Sequence, residues 1–298
     1  MVDYGVSIIK TLKTIRWGIL GMNLYNAIEK RISIRKYEDE IFDEKTVKEI
    51  KEKILKLKPM YEDIKIRLEL IEAKPIGIGT LYGFAKINAP YCIVAITEMK
   101  NGHMENIGFM QEQLVLELTD MGIGTCWLGT YNDKKIREIL NLNDNEKITN
   151  VISLGYSFKQ KNFYNDVFRN LVGRNRKKET EVAYYRQWGN DISEYLNKNQ
   201  CIKKVLHMSI LAPSSNNKQP VYIVFNENNA SFFVKNKKGD KIINSSAELD
   251  AGIFISHFYL CLNNDDIEVS FYEENSPIKN YNIPSEFSYI ISLKYHCN

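Results

Sequence analysis

Apolar residues return at helical spacing through residues 44–58, at Val47, Ile50, Ile54, Leu55 and Leu57 among lysines and glutamates. The pattern predicts an amphipathic helix with Asp43 as its N-cap and Pro59 beyond its end. Residues 61–73 alternate at Ile64, Ile66, Leu68 and Leu70, the period of a half-exposed strand. Residues 90–97 are a continuous apolar run with β-branched side chains, which predicts a buried strand. Helical spacing resumes over 107–121 and stops at Gly122, a C-cap signal. A short helix over 136–140 and a buried strand over 148–156 complete the set.

The second half runs through the same plan. Residues 191–211 read as a helix, 221–225 and 231–235 as strands, 247–262 as a helix and 287–295 as a closing strand. Two stretches match without gaps. VISLGY at 151–156 lies over IISLKY at 290–295, an offset of 139, and residues 108–127 lie over 252–271, an offset of 144. In the second match Met110/Phe254, Leu114/Phe258, Leu116/Leu260 and Ile123/Ile267 are all apolar. Chance likeness between two amphipathic helices, or between two apolar strands, explains either match alone. Both together, in order and at nearly one offset, predict a duplicated unit of roughly 140 residues. A polar, basic segment at 157–180 joins the repeats.

A net charge of +3 on 298 residues argues against a dedicated nucleic-acid binder. The five cysteines are far apart without a CxxC, which suits a reducing cytoplasm and offers no zinc-ligand spacing. No apolar run approaches the ~20 residues a bilayer requires. Residues 1–22 read as an appended amphipathic helix, or as an extension ahead of a start at Met22.

The four histidines are scattered, with no HxxxH pair and no nearby acidic partner expected. Gly77, Gly79 and Gly83 lead into another strand instead of opening a helix, so a dinucleotide fingerprint fails its context test. They read as a loop over a pocket. Two motifs remain. In Arg31-Ile-Ser-Ile-Arg35-Lys-Tyr37 an extended backbone puts Arg31, Ser33 and Arg35 on one side. The segment reads as a phosphate clamp or as an exposed basic turn. Ala212-Pro-Ser-Ser-Asn-Asn-Lys-Gln-Pro220 packs short hydrogen-bonding side chains between two prolines. It reads as an ordinary turn, or as a rigid loop aimed at a polar planar ligand.

Together the motifs resemble the nitroreductase family of FMN flavoproteins. Arg31, Ser33, Arg35 and Tyr37 match a spaced form of its N-terminal R-S-x-R-x-[FY]. Ala212, Pro213, Ser214, Ser215, Asn217, Gln219 and Pro220 match its A-P-S-S-x-N-x-Q-P-W, with Val221 in place of the tryptophan. GIGTCWLG at 122–129 is similar to its G-[LI]-G-x-x-W-[LI]-G, and the strand at 151–156 followed by basic residues 174–178 is similar to its closing strand and tail. Each half here keeps one of the two main motifs, which resembles a subgroup, the putative TM nitroreductases, in which one chain mimics the usual homodimer.

The resemblance implies an α+β, nitroreductase-like fold. Two half-domains of mostly antiparallel sheet wrapped by helices would form an intrachain pseudo-dimer, within a monomer. The implied boundaries are an N-terminal extension at 1–24, halves at 25–160 and 186–298, and a linker at 161–185. It implies that Arg31, Ser33 and Arg35, with Arg176, hold the FMN phosphate. Pro213, Ser214, Ser215 and Asn217 would contact isoalloxazine and ribityl from the other half, supported by Gln219, and the main chain at Leu128 and Gly129 would approach flavin N5 or O4. The implied activity passes hydride from NADH or NADPH through FMN to a small acceptor such as a nitroaromatic or quinone, in ping-pong fashion. No catalytic acid, base, nucleophile or metal is implied, because the flavin performs the redox step. Two alternatives are an FMN-binding storage or sensor protein and a structural domain with a vacated site.

Overall fold

The computed structural model of the chain describes residues 22–74, 80–81, 85–158, 175–235 and 241–296. The N-terminal helix expected over 1–22, Gly77, Gly79 and Gly83 of the glycine loop, and linker residues 159–174 lie outside the described residues.

The first half runs α1 (Leu24–Lys30), α2 (Glu44–Lys56), β1 (Ile66–Glu72), β2 (Thr80–Leu81), β3 (Ala85–Lys86), β4 (Tyr91–Thr97), α3 (His103–Asp120), β5 (Gly124–Leu128), α4 (Asp133–Leu140) and β6 (Lys147–Gly155). Then come α5 (Glu179–Val182) and β7 (Ala183–Tyr185). The second half runs α6 (Ser193–Lys198), α7 (Gln200–Ile210), β8 (Val221–Asn226), β9 (Asn229–Lys235), α8 (Lys241–Asn264), β10 (Val269–Tyr272), α9 (Pro277–Asn280) and β11 (Phe287–Tyr295).

Local chemistry sets the boundaries. Asp43 Oδ1 accepts from Thr46 N at 2.7 Å and starts α2. Gly122, at φ +77°, donates to Thr119 O while Ile123 N donates to Leu118 O, a Schellman closure of α3. Three elements differ from the pattern. The strand expected from residue 61 begins at Ile66, because the Met60 and Tyr61 N–H groups donate to Asn106 Oδ1. The helix α3 begins at His103 and not at 107, in a polar first turn that an apolar period does not register. The helix expected over 191–211 is two, α6 and α7, broken at Asn199 (φ −120°, ψ 72°), whose side chain donates to Tyr195 O.

Beside a two-stranded hairpin of β2 and β3, the strands form two larger sheets of the same plan. One is ordered β1-β4-β6-β5 and the other β10-β11-β9-β8-β7. In each, the strand carrying the repeated hexapeptide, β6 or β11, sits between its neighbours and pairs antiparallel with both. The second sheet gains β7, parallel to β8, from the segment joining the repeats. Both faces of the first sheet are covered, which explains why every residue of β4 is buried.

The two halves meet where α3 crosses α8, and the contact is symmetric. A Cβ on Gly108 would meet Leu249 O and, at 3.0 Å, Ile253 N. A Cβ on Gly252 would meet Glu105 O and, at 2.8 Å, Phe109 N. Every pair in this list is related by the offset of 144, so the repeat found in sequence is a local two-fold axis in space. Glycine at both positions lets the backbones touch. The loops flanking the crossing repeat too. Asn106 holds the backbone of Met60 and Tyr61, and its counterpart Asp250 holds the N–H of Ser215 through both carboxylate oxygens at 3.0 and 3.1 Å.

Candidate functional site

Arg31 caps the end of α1, and its side chain is 7% exposed. The chain then runs extended along the edge of β5. Ser33 bridges Thr125 in parallel, Ile34 N donates to Thr125 O, and Tyr37 bridges Ser157. Ile34 and Tyr37 point into the core, and the Tyr37 hydroxyl reaches Ser153 at 2.9 Å. Ser33 and Arg35 stay half-buried. Gly124 is what lets Ile34 lie so close, since a Cβ there would stand 2.7 Å from Ile34 Cγ1.

The loop 212–220 is held in an unusual backbone. Asn216, Asn217 and Gln219 all lie in the left-handed region, at φ 54°, 53° and 47°. Asn tolerates that region, while Gln219 needs bonds to stay there. Gln219 N donates to Ser214 Oγ, its side-chain oxygen accepts from Lys177 N, and its amide nitrogen donates to Asn175 O. Arg176 completes the hold, donating to Ala212 O, Leu211 O and Asn217 Oδ1 at 2.9, 3.1 and 3.0 Å. The polar ends of Ser214, Asn217 and Gln219 are thus engaged inside the chain. Pro213, Ser214 and Gln219 also line a small cavity behind the loop with Asp250 and Phe254.

The two motifs, some 180 residues apart in sequence, lie together. Burial pulls the Arg176 guanidinium down to about 10, and the Arg31 charge adds to this. Arg31 is itself lowered by burial, opposed by Glu112, with Arg35 adding repulsion. Burial pushes the Cys126 thiol up against the pull of Arg35, Arg31 and the Ser33 hydroxyl. Arg35 and Arg176 thus both lie close enough to Arg31 for the charges to repel, and the buried Nε of Arg31 has no hydrogen-bond partner among the described residues. Leu128 and Gly129 stand apart, at the far end of β5. Thr125 is level with Ser33, so Gly129 lies roughly 13 Å along the strand at ~3.3 Å per residue. Leu128 is buried, and no atom lies within 4 Å of where a Gly129 Cβ would stand.

Below the arginines the structure corrects one expectation. His257 has an acidic partner: its Nε2 is 2.8 Å from Oε1 of Glu112, across the two-fold crossing. His207 likewise meets Glu179 at 2.8 Å. Glu112, His257, Cys126 and Asp250 are missing from the sequence-derived site. The traces they left are a polar run, Gln111-Glu112-Gln113, inside a buried helix, and a histidine inside an apolar one.

The family described as "Putative TM nitroreductase" matches residues 23–262. The chain belongs to this family. The nitroreductase family places it among oxidoreductases. A crystal structure of a "putative nitroreductase" from Thermotoga maritima superposes with a TM-score of 0.58 at 22% identity, covering 95% of this chain and 98% of that one. It supports the nitroreductase fold over both halves. An "FMN-dependent Nitroreductase" from Clostridium difficile aligns at 24% identity and a TM-score of 0.38, covering 50% of this chain and 98% of that one. A "Putative NADH dehydrogenase/NAD(P)H nitroreductase" of Archaeoglobus fulgidus is 39% identical over 57 residues, 18% of this chain. The match spans a third of that relative's length. Among the described residues no helix is long and apolar enough to cross a membrane, and no cluster of side chains could hold a metal ion.

Proposed function

We propose that the site holds FMN and that the chain is an NAD(P)H-dependent oxidoreductase of nitroreductase type. The observation that carries this reading is the gathering of Arg31, Arg35 and Arg176 beside the loop 212–220, with a buried Nε of Arg31 left over. Guanidiniums crowded in this way repel one another, and a phosphate relieves the repulsion while supplying the missing acceptor. The chain offers one such clamp and no dinucleotide fingerprint, which favours FMN over FAD.

On this reading Arg31, Ser33 and Arg35, with Arg176, bind the phosphate. Pro213, Ser214, Ser215 and Asn217 contact ring and ribityl from the other half, Gln219 supports them, and the main chain at Leu128 and Gly129 approaches the flavin edge. The site then lies between a half at 25–160 and a half at 186–298, and the linker at 161–185 contributes Arg176. Bound FMN would supply the chemistry, taking hydride from NADH or NADPH and passing it to a small acceptor such as a nitroaromatic or quinone, each using the same face in turn. The side chains bind and orient, and none is assigned as catalytic acid or base.

The test is the visible spectrum of purified protein, with chromatography of the chromophore released by heat. FMN is the expected result. Recovery of mainly FAD, or a colourless protein that takes up no FMN, refutes the reading. Steady-state NADPH oxidation with an added acceptor separates an enzyme from a flavin store.

A further inference from the structure

Glu112 on α3 and His257 on α8 are fully buried beneath Arg31, and the flavin reading gives them no task. His257 Nδ1 stands 3.1 Å from the Met208 carbonyl oxygen, which only accepts, so Nδ1 carries a hydrogen. Nε2 stands 2.8 Å from Glu112 Oε1, so one hydrogen lies between them, on the nitrogen or on the oxygen. With the hydrogen on either atom, the pair has no net charge. Arg31 Nε is 3.8 Å from the same carboxylate oxygen, an ion-pair distance without a hydrogen bond, and the buried Oε2 of Glu112 has no hydrogen-bond partner among the described residues. Without the hydrogen shared with His257, Glu112 would be a buried carboxylate drawing directly on the charge of Arg31.

The local two-fold gives an independent observation. The counterpart of Glu112 is Ser256, and the counterpart of His257 is Gln113, which exchanges hydrogen bonds with the backbone of Lys58 at 2.8 and 3.1 Å. The arginine motif has no counterpart in the second half. The ionisable pair thus occurs on the side that carries the arginines, and two neutral residues stand at the equivalent places on the other. Among the described residues Arg31 is ion-paired with Glu112, and Arg35 and Arg176 in turn repel Arg31. The helix α7 presents the Met208 carbonyl.

We propose that His257 is a positioning residue for the flavin phosphate. It neutralises Glu112, leaves the charge of Arg31 for the phosphate, and ties this arrangement to α7, which leads into the loop 212–220. The inference rests on the FMN reading. Its test is FMN titration of the apoprotein, followed by quenching of flavin fluorescence, for wild type, His257→Gln, Glu112→Gln and the double variant. Gln113 shows that the crossing accommodates glutamine. His257→Gln should weaken binding about tenfold or more, the scale of an unbalanced unit charge nearby. In the Glu112→Gln background, where no carboxylate needs an answer, the same change should cost less than about twofold. An equal loss in both backgrounds overturns the proposal, because it marks His257 as packing alone. Nitrogen NMR of the imidazole rings, without flavin, is the second readout. A hydrogen on Nδ1 and a hydrogen bond joining Nε2 to Glu112 are expected, and an Nε2 with no hydrogen bond overturns the proposal whatever FMN does. Wild-type protein that binds no FMN refutes the flavin reading, and with it the role of His257 though not its pairing with Glu112.

Discussion

Adding one methyl group at Gly252 should reverse the usual sign of a glycine-to-alanine change in a helix. In an ordinary helix interior the substitution gains about 1 kcal/mol. Here the new Cβ would overlap Glu105 O and stand 2.7 Å from Glu105 C and 2.8 Å from Phe109 N. These are backbone atoms of a helix held between two sheets, so they cannot swing aside as a side-chain end would. The helices α3 and α8 must part, which forfeits close contacts along the crossing. Overpacking of this kind costs roughly 1–3 kcal/mol and can exceed the helix gain. We expect Gly252→Ala to lose about 1–2 kcal/mol net, a fall in Tm of several degrees at roughly 2–4 °C per kcal/mol. Gly108→Ala should lose a similar amount, because it meets the symmetry-related atoms. The double variant should lose less than the sum, because helices already parted have room for the second methyl. Gly129→Ala, with no atom within 4 Å, is the control. Thermal and urea unfolding measure all four. A Gly252→Ala protein as stable as wild type would refute the tight crossing.

Three further predictions follow from the site. Arg35→Ala removes one charge-assisted phosphate contact and should weaken FMN binding by about 2–3 kcal/mol while the chain stays folded; unchanged affinity in a titration would remove Arg35 from the clamp. Arg31→Ala and Asn217→Ala proteins, co-refolded and checked for mixing by sizing, should not restore each other's bound FMN, because one chain supplies both motifs; clear recovery would mean a site shared between chains. Burial pushes the Asp250 carboxyl up to about 8, against the Ser215 N–H and Lys218. The folded state therefore keeps a proton that the unfolded chain releases near pH 4, and the contribution to stability falls as pH rises from about 4 to about 8. Asp250→Asn keeps an acceptor for Ser215, as Asn106 does across the axis, so it should gain stability relative to wild type between about pH 5 and pH 9; a constant difference in urea melts would show that Asp250 does not titrate there.

Elements governed by their own residues were legible in sequence. The helix α2 declared itself through Asp43 and its apolar stripe, and β4 through an unbroken run that two covered faces require. Boundaries set by distant groups were not. Nothing local to Tyr61 says that Asn106 will take its N–H, and nothing local to residues 191–211 outweighs their apolar period except Asn199. The short strands β5 and β10 follow long helices and have too few residues to show a period. The arginine segment and the proline-serine loop were visible because their residue types are unusual at close spacing. Glu112 and His257 were not, because each is one polar residue in a buried helix and its meaning depends on a partner about 145 residues away.

The symmetry of the α3–α8 crossing has a consequence for how this chain tolerates change. When two identical chains meet on a two-fold axis, every substitution is made on both sides at once, and a change that suits one side must suit the other. Here the axis relates different residues of one chain, so the two sides mutate independently. The crossing itself still demands a small residue on each side, and a saturation scan should find Gly108 and Gly252 equally intolerant. The positions just beyond it have diverged, with Glu112 and His257 facing each other on one side and Ser256 and Gln113 as their counterparts on the other. A scan for flavin retention should therefore give matched profiles at the glycines and unmatched ones a turn away.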